Sequence, residues 1–243
     1  VGTGSIDAGT ITDADTVGTY GCTLGGADAA DFACSISGST VNIAFAADPN
    51  YESPADADTN NVYIVTVLID DGAADDANGA TTLTITVADV NDITPTYTAT
   101  STTPTVTEGA TAVDSNVAIT DADTGDSNTC NLGGADAGSF TCTLSGQTAY
   151  TLAFSSAPDY ENPGSAGSSN EYTVTVSIND GSNDGATITY TVTVADANDQ
   201  TPVYQAADAD DAITVNENVG TGSIDAGTIT DADTVGTYGC TLG

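Results

Sequence analysis

The sequence predicts an all-β chain, a tandem of Greek-key antiparallel β-sandwiches set end to end, and three observations predict it. Apolar and polar residues alternate strictly over several stretches, clusters of Gly, Asn and Asp punctuate those stretches, and the whole pattern recurs at a fixed interval. Leu83, Ile85 and Val87 alternate with Thr in TLTITVAD. Tyr172, Val174, Val176 and Ile178 do so in YTVTVSIND, and Ile188, Tyr190, Val192 and Val194 in ITYTVTVAD. A period of two over seven or more residues describes strands with one buried and one wet face. No segment carries a helical period, and the alternation argues against disorder in a chain with 39% apolar or aromatic residues. About seven short strands per repeat is the count of an immunoglobulin-like sandwich.

The interval is read from identities. Val1–Gly25 and Val219–Gly243 are the same 25 residues, offset by 218, as in a window cut from a longer tandem array. Inside that period lie two related halves. Cys22–Gly38 matches Cys130–Gly146 at an offset of 108, and Ala88–Tyr97 matches Ala195–Tyr204 at 107. The expected domains are therefore residues 1–95, lacking a first strand, a complete domain over 96–202, and over 203–243 the start of a third that copies the first.

Charge excludes whole classes of function. The chain has 35 acidic residues, no Lys, Arg or His, and a formal net charge of −35. No cation is present to neutralise nucleic-acid phosphates, and an anionic membrane surface repels such a chain. Imidazole catalysis, lysine Schiff bases and lysine–asparagine isopeptide cross-links are impossible without those side chains. Paired-carboxylate glycosidase chemistry is the remaining catalytic option, and the reading is of a non-enzyme. Solvent and salt screen the carboxylates, or hard cations such as calcium sit among them. No apolar run approaches the length of a membrane span, so no direct insertion is expected of this segment.

Aromatic residues are few, with four Phe, ten Tyr and no Trp. The five cysteines look like the staples that thin cores need. Cys22 and Cys34 are 12 apart, as are Cys130 and Cys142, and each pair is expected as a disulfide closing a hairpin. A loop of that size makes each worth roughly 3 kcal/mol. Disulfides point to an oxidising, extracellular compartment; the alternative is buried free thiols. Cys240 copies Cys22. Without a four-ligand cluster, metal ligation by these cysteines is not expected. No N-x-S/T sequon occurs, while the many Thr and Ser leave O-glycosylation open.

The acidic residues gather in short recurring motifs. D-A-D occurs at Asp13 and Asp15, Asp121 and Asp123, and Asp231 and Asp233. Tyr51–Glu52 and Asp159–Tyr160–Glu161 lie in mid-domain, and single glutamates, Glu108 and Glu217, near domain openings. Asp89, Asn91 and Asp92 precede Pro95, as Asp196, Asn198 and Asp199 precede Pro202. In this order, V-N-E-N, D-A-D, D-Y-E, N-D-G and D-A-N-D-Q-T-P, the set resembles the cadherin repeat over essentially the whole chain. The GGADA stretch between the paired cysteines resembles that family's loop before its third strand.

The resemblance implies that these motifs converge at domain junctions and bind Ca2+. One junction would use Glu52, Asp89, Asn91 and Asp92, with Asp121, Asp123 and Asp180 from the following domain. The other would use Glu108, Asp159, Glu161, Asp196, Asn198 and Asp199, completed by Asp231 and Asp233. Asp71 would play the part of Asp180 for the first domain, and Asp13, Asp15 and Glu217 are the remaining ligands implied. The sequence departs from the family at Asn50, where the second domain has Asp159, and at Tyr20, where it has Asn128. Ile93 and Gln200 replace a second asparagine, at a position where the backbone oxygen matters more. The lack of Trp leaves strand-exchange adhesion, as in vertebrate members, without its anchor. An EF-hand is excluded, since its loop pattern is absent.

The function expected is a calcium-stiffened extracellular or cell-surface rod or filament, structural or adhesive, whose partners are calcium and further copies of the repeat. The alternative is a module that itself recognises a carbohydrate or protein, using Tyr20, Tyr63, Tyr97 or Tyr150 as platforms.

Overall fold

A computed structural model of the chain describes residues 4–14, 19–72, 79–206, 217 and 227–241. The chain divides into two compact units, Val1–Asp92 with Ala122–Thr124, and Ile93–Asp121 with Gly125–Gly243. The described residues are nearly all strand, loop and turn, with two single 3₁₀ turns, Ala29–Asp31 and Ala137–Ser139. No helix among them is long and apolar enough to cross a membrane.

The first unit runs through β1 (Ile6–Thr10), β2 (Gly21–Gly25), β3 (Phe32–Ser37), β4 (Thr40–Phe45), β5 (Val62–Asp70) and β6 (Thr81–Thr86). They form two three-stranded sheets, ordered β1-β4-β3 and β2-β5-β6. The period-two pattern sets which residues meet between them. Ile43 and Val65 are fully buried, Val41 and Val67 nearly so, and Leu83 and Ile85 pack against them. Phe32, Phe45 and Tyr63 close one end, with ring centroids 4.5, 5.7 and 5.1 Å apart.

The second unit contains β7 (Thr96–Tyr97), β8 (Thr105–Thr107), β9 (Ala112–Thr120), β10 (Thr129–Gly133), β11 (Phe140–Ser145), β12 (Ala149–Phe154), β13 (Glu171–Asn179) and β14 (Ile188–Ala195). Its sheets are ordered β10-β13-β14-β8 and β11-β12-β9-β7. β7 pairs antiparallel with β9 in one sheet while β8 runs parallel to β14 in the other, so the leading segment crosses the sandwich. Val174, Val176, Ile178, Val192 and Val194 face Tyr150, Leu152 and Phe154, as the alternation requires. Phe140, Phe154 and Tyr172 repeat the aromatic trio of the first unit, with centroids 4.5, 6.2 and 5.1 Å apart. β15 (Val203–Ala206) and β16 (Gly227–Thr230) follow as an antiparallel pair.

Both expected disulfides are present, Cys22–Cys34 and Cys130–Cys142, each with Cα atoms 6.1 Å apart. They do not close hairpins. β2 pairs with β5 and β3 with β4, so Cys22 and Cys34 lie in different sheets; β10 and β11 are divided in the same way. The chain leaves one sheet and enters the other between the two cysteines, and each disulfide ties the layers together at that corner. Gly134 makes the turn: its φ is +92°, and a side chain there would press on the Thr173 carbonyl 3.0 Å away. Cys240 is exposed and has no partner among the described residues.

Candidate metal centre

Each candidate ligand is set by a local device that the repeats share. Between β10 and β11, Asp136 is buried, and its carboxylate accepts the N–H groups of Ala166, in the loop before β13, and of Thr173 in β13, both at 2.6 Å. Asp28 does the same in the first unit, accepting from Ala57 at 2.8 Å and Ile64 at 2.6 Å. The Asn170 amide then donates to the Tyr160 carbonyl, and Asn61 to that of Tyr51, both at 2.9 Å. These bonds fix the loop backbone beside Glu161 and Glu52. Asp159 accepts from the Asn162 N–H at 2.9 Å, and Asn50 from Ser53 at 2.8 Å. An amide oxygen makes that turn as well as a carboxylate does, so the departure at Asn50 leaves the loop intact and removes only a charge.

In the second unit the carboxylates converge on Glu161. Ligand oxygens of Glu108, Asp159 and Glu161 lie within 4.8 Å of one another, as do those of Glu161, Asp199 and Asp233. Glu108 follows β8 and is nearly buried; its carboxylate accepts the N–H groups of Tyr160 and Ala197, both at 2.7 Å. Asp196 accepts from the Thr234 N–H at 2.5 Å and also from its hydroxyl. Asp233 accepts from Gln200 N–H at 2.8 Å, and Asp231 from Asp233 N–H at 3.3 Å. Both Glu161 oxygens are shielded from solvent and receive no hydrogen bond from another residue, and Asp196 Oδ1 and Asp233 Oδ1 are likewise shielded and without a donor. Desolvation raises the Glu161 carboxyl above its ordinary range; its own N–H opposes this, and the charges of Glu108, Asp196 and Asp233 add to it.

In the first unit, oxygens of Glu52, Asp89 and Asp123 lie within 4.8 Å of one another. The Thr124 hydroxyl and N–H donate to Asp89 at 2.5 and 2.7 Å and hold its carboxyl below the usual range. At Glu52 the backbone N–H lowers the carboxyl, but desolvation, the Asp89 contact and the charges of Asp123 and Asp92 outweigh it, so the net direction is upward.

The remaining expected residues are placed as follows. Asp180 is almost wholly buried, and its carboxylate accepts from Ser182 and Asn183 N–H at 2.7 and 2.6 Å. Asp121 and Asn91 are half-buried, while Asp92, Asn198 and Asp199 are exposed. Asp13 accepts from the Tyr20 hydroxyl at 3.3 Å, and burial, followed by Asp13 and Asp71, raises that phenol. Glu217 is exposed, and Asp15 lies outside the described residues. Of the proposed aromatic platforms, Tyr63 and Tyr150 are core residues, and Tyr97 is half-buried with its hydroxyl donating to Ala186 O.

Sequence reasoning missed the threonines that clamp Asp89 and Asp196, although D-A-D-T recurs at Thr16, Thr124 and Thr234. It also missed Asp28 and Asp136, whose signal was the repeated GGAD. The donor set is all oxygen and suits a hard cation. Ligands 2.3–2.6 Å from one ion sit at most about 5 Å apart, so 4.8 Å groupings fit calcium.

No protein-family model and no curated protein sequence matches the chain. Solved structures do. Repeats EC3–6 of protocadherin gammaB7, described as a cis-dimer structure, match 96% of this chain at 25% identity and TM-score 0.64. The chain spans about half of that one, 52% of its length. Human CDH23 EC21–23 matches over 97% of this chain and 81% of its own, at 25% identity and TM-score 0.62. Human protocadherin-24 EC1–2 shares the fold at 18% identity, TM-score 0.57, over 79% of this chain and 89% of its own. The chain is thus cadherin-like: its sandwiches have the fold of cadherin and protocadherin extracellular repeats, as its motifs suggested.

Proposed function

We propose that this chain is a segment of an extracellular or cell-surface rod of cadherin-like repeats, structural or adhesive and non-catalytic, stiffened by calcium at its junctions. The domains of that rod are residues 1–95, 96–202 and 203–243, and its partners are calcium and further copies of the repeat. The observation that carries this reading is Glu161, a shielded carboxylate with no hydrogen-bond donor from another residue and ringed by Glu108, Asp159, Asp199 and Asp233. Such a grouping is repulsive without a counter-cation, and the chain has no Lys, Arg or His to supply one.

Glu52, Asp89 and Asp123, with Asn91, Asp92, Asp121 and Asp180, would hold the ions of the first junction. Glu108, Asp159, Glu161, Asp196, Asn198, Asp199, Asp231 and Asp233 would hold those of the second. Asp13, Asp15, Asp71 and Glu217 serve the neighbouring junctions of the array. Binding that is confined to the folded state stabilises it by mass action. Thermal melting tests the reading: millimolar calcium raises the midpoint well above that in EDTA, and magnesium at equal concentration does less. Superimposed curves in calcium and EDTA would refute it.

A further inference from the structure

The core of the second unit contains a buried polar triad that the metal sites do not use. Tyr150 on β12 and Tyr190 on β14 are fully buried, with hydroxyl oxygens 2.9 Å apart. The Tyr190 hydroxyl donates to Asp114 on β9 at 3.0 Å, and the same carboxylate accepts the Thr100 N–H at 2.9 Å. Asp114 is itself 5% exposed. The three residues come from three strands of both sheets, so the triad is complete only when β9 lies in its own sandwich.

The first unit replaces all three together. Asp114 faces Leu152 across β9 and β12, where Ile6 faces Ile43 across β1 and β4. Tyr150 faces Leu144 as Val41 faces Ile36, and Tyr190 faces Val174 as Leu83 faces Val65. A polar set, Asp-Tyr-Tyr, thus stands against an apolar set, Ile-Val-Leu. The third copy returns to the apolar type, with Ile224 in the place of Ile6.

Neither set tolerates a member of the other. Asp114 placed against Val41 and Leu83 would bury a carboxylate with no donor. Ile6 placed against Tyr150 and Tyr190 would leave a buried phenol proton with no acceptor. A tandem chain of similar sandwiches is prone to strand exchange between repeats, its characteristic misfolding route. We propose that the Asp114–Tyr150–Tyr190 triad, alternating with the Ile6–Val41–Leu83 set, is a pairing-specificity device that keeps the β1- and β9-type strands from entering neighbouring repeats. A buried polar group that fixes register is the best-attested use of such groups.

The test is refolding of the full chain from denaturant, disulfides intact, with the recovered monomer fraction read by size-exclusion chromatography. Asp114→Ile/Tyr150→Val/Tyr190→Leu makes both repeats apolar, and Ile6→Asp/Val41→Tyr/Leu83→Tyr makes both polar. Each conversion is expected to lower monomer recovery at least threefold in favour of exchanged dimers and larger species. A chain carrying both conversions, with Ile224→Asp to keep the third copy matched to the first, alternates again and is expected to recover as the parent does. That rescue is the outcome a purely structural triad does not produce. Parental recovery by either single conversion, or no rescue in the doubly converted chain, including its failure to fold, would overturn the proposal.

Discussion

Glu161 concentrates the chemistry of the chain in one side chain. Its oxygens are shielded, lack donors from other residues and lie among other carboxylates, so it opposes folding without a cation, and under the proposed function a bound cation would reverse that. Glu161→Gln should therefore weaken calcium binding about tenfold or more while raising the melting temperature in EDTA, two opposite signs in paired calorimetric scans. The buried phenols make a separate test. Burial, then the hydrogen bond and charge of Tyr150, then Asp114, push Tyr190 far above the ordinary tyrosine range; burial also raises Tyr150 and Tyr97. The unfolded chain ionises near pH 10 while these folded groups hold their protons, so their contribution is full below that pH and falls as pH rises past it. Absorbance at 295 nm should show exposed tyrosines titrating first and a later step coincident with unfolding. At this scale the candidate acidic ligands were legible because D-A-D recurs at domain spacing, as does Tyr-Glu at Tyr51–Glu52 and Tyr160–Glu161. Asp28, Asp136 and the clamping threonines were not, because a buried Asp in a turn and a Thr after a carboxylate are unremarkable in composition. Only three-dimensional hydrogen bonding separates them from their neighbours.

At the scale of the element, alternation identified β6, β13 and β14 almost to their ends, since each has one face against the core. The path between β2 and β3 was not legible. A separation of 12 between two cysteines is compatible with a hairpin or with a change of sheet, and no local residue pattern decides which. The change of sheet gives the disulfides more consequence, because each is a covalent tie between two layers that otherwise meet through side-chain packing and hydrogen bonds. Cys130→Ala/Cys142→Ala should lower the stability of the second unit by about 2–4 kcal/mol, measured by chemical denaturation in calcium. A change below about 0.5 kcal/mol would mean that packing among Phe140, Phe154 and Tyr172 already fixes this corner.

At the scale of the whole molecule, a formal charge of −35 with no positive side chain decides the behaviour. Simple salt screens such a charge diffusely, whereas calcium engages particular oxygens, so the two separate by concentration. Tens of micromolar to millimolar calcium should act where the same ionic strength of sodium chloride does not. The sequence repeats carry this consequence along the chain, because the D-A-D of Asp13 and Asp15 returns at Asp121 and Asp123 and again at Asp231 and Asp233. The most direct measurement is small-angle X-ray scattering of the chain in calcium and in EDTA at matched ionic strength. A calcium-stiffened rod predicts a longer maximum dimension and a rod-like cross-sectional region with calcium, both lost on chelation and restored by re-addition. Identical scattering profiles in the two buffers would contradict it.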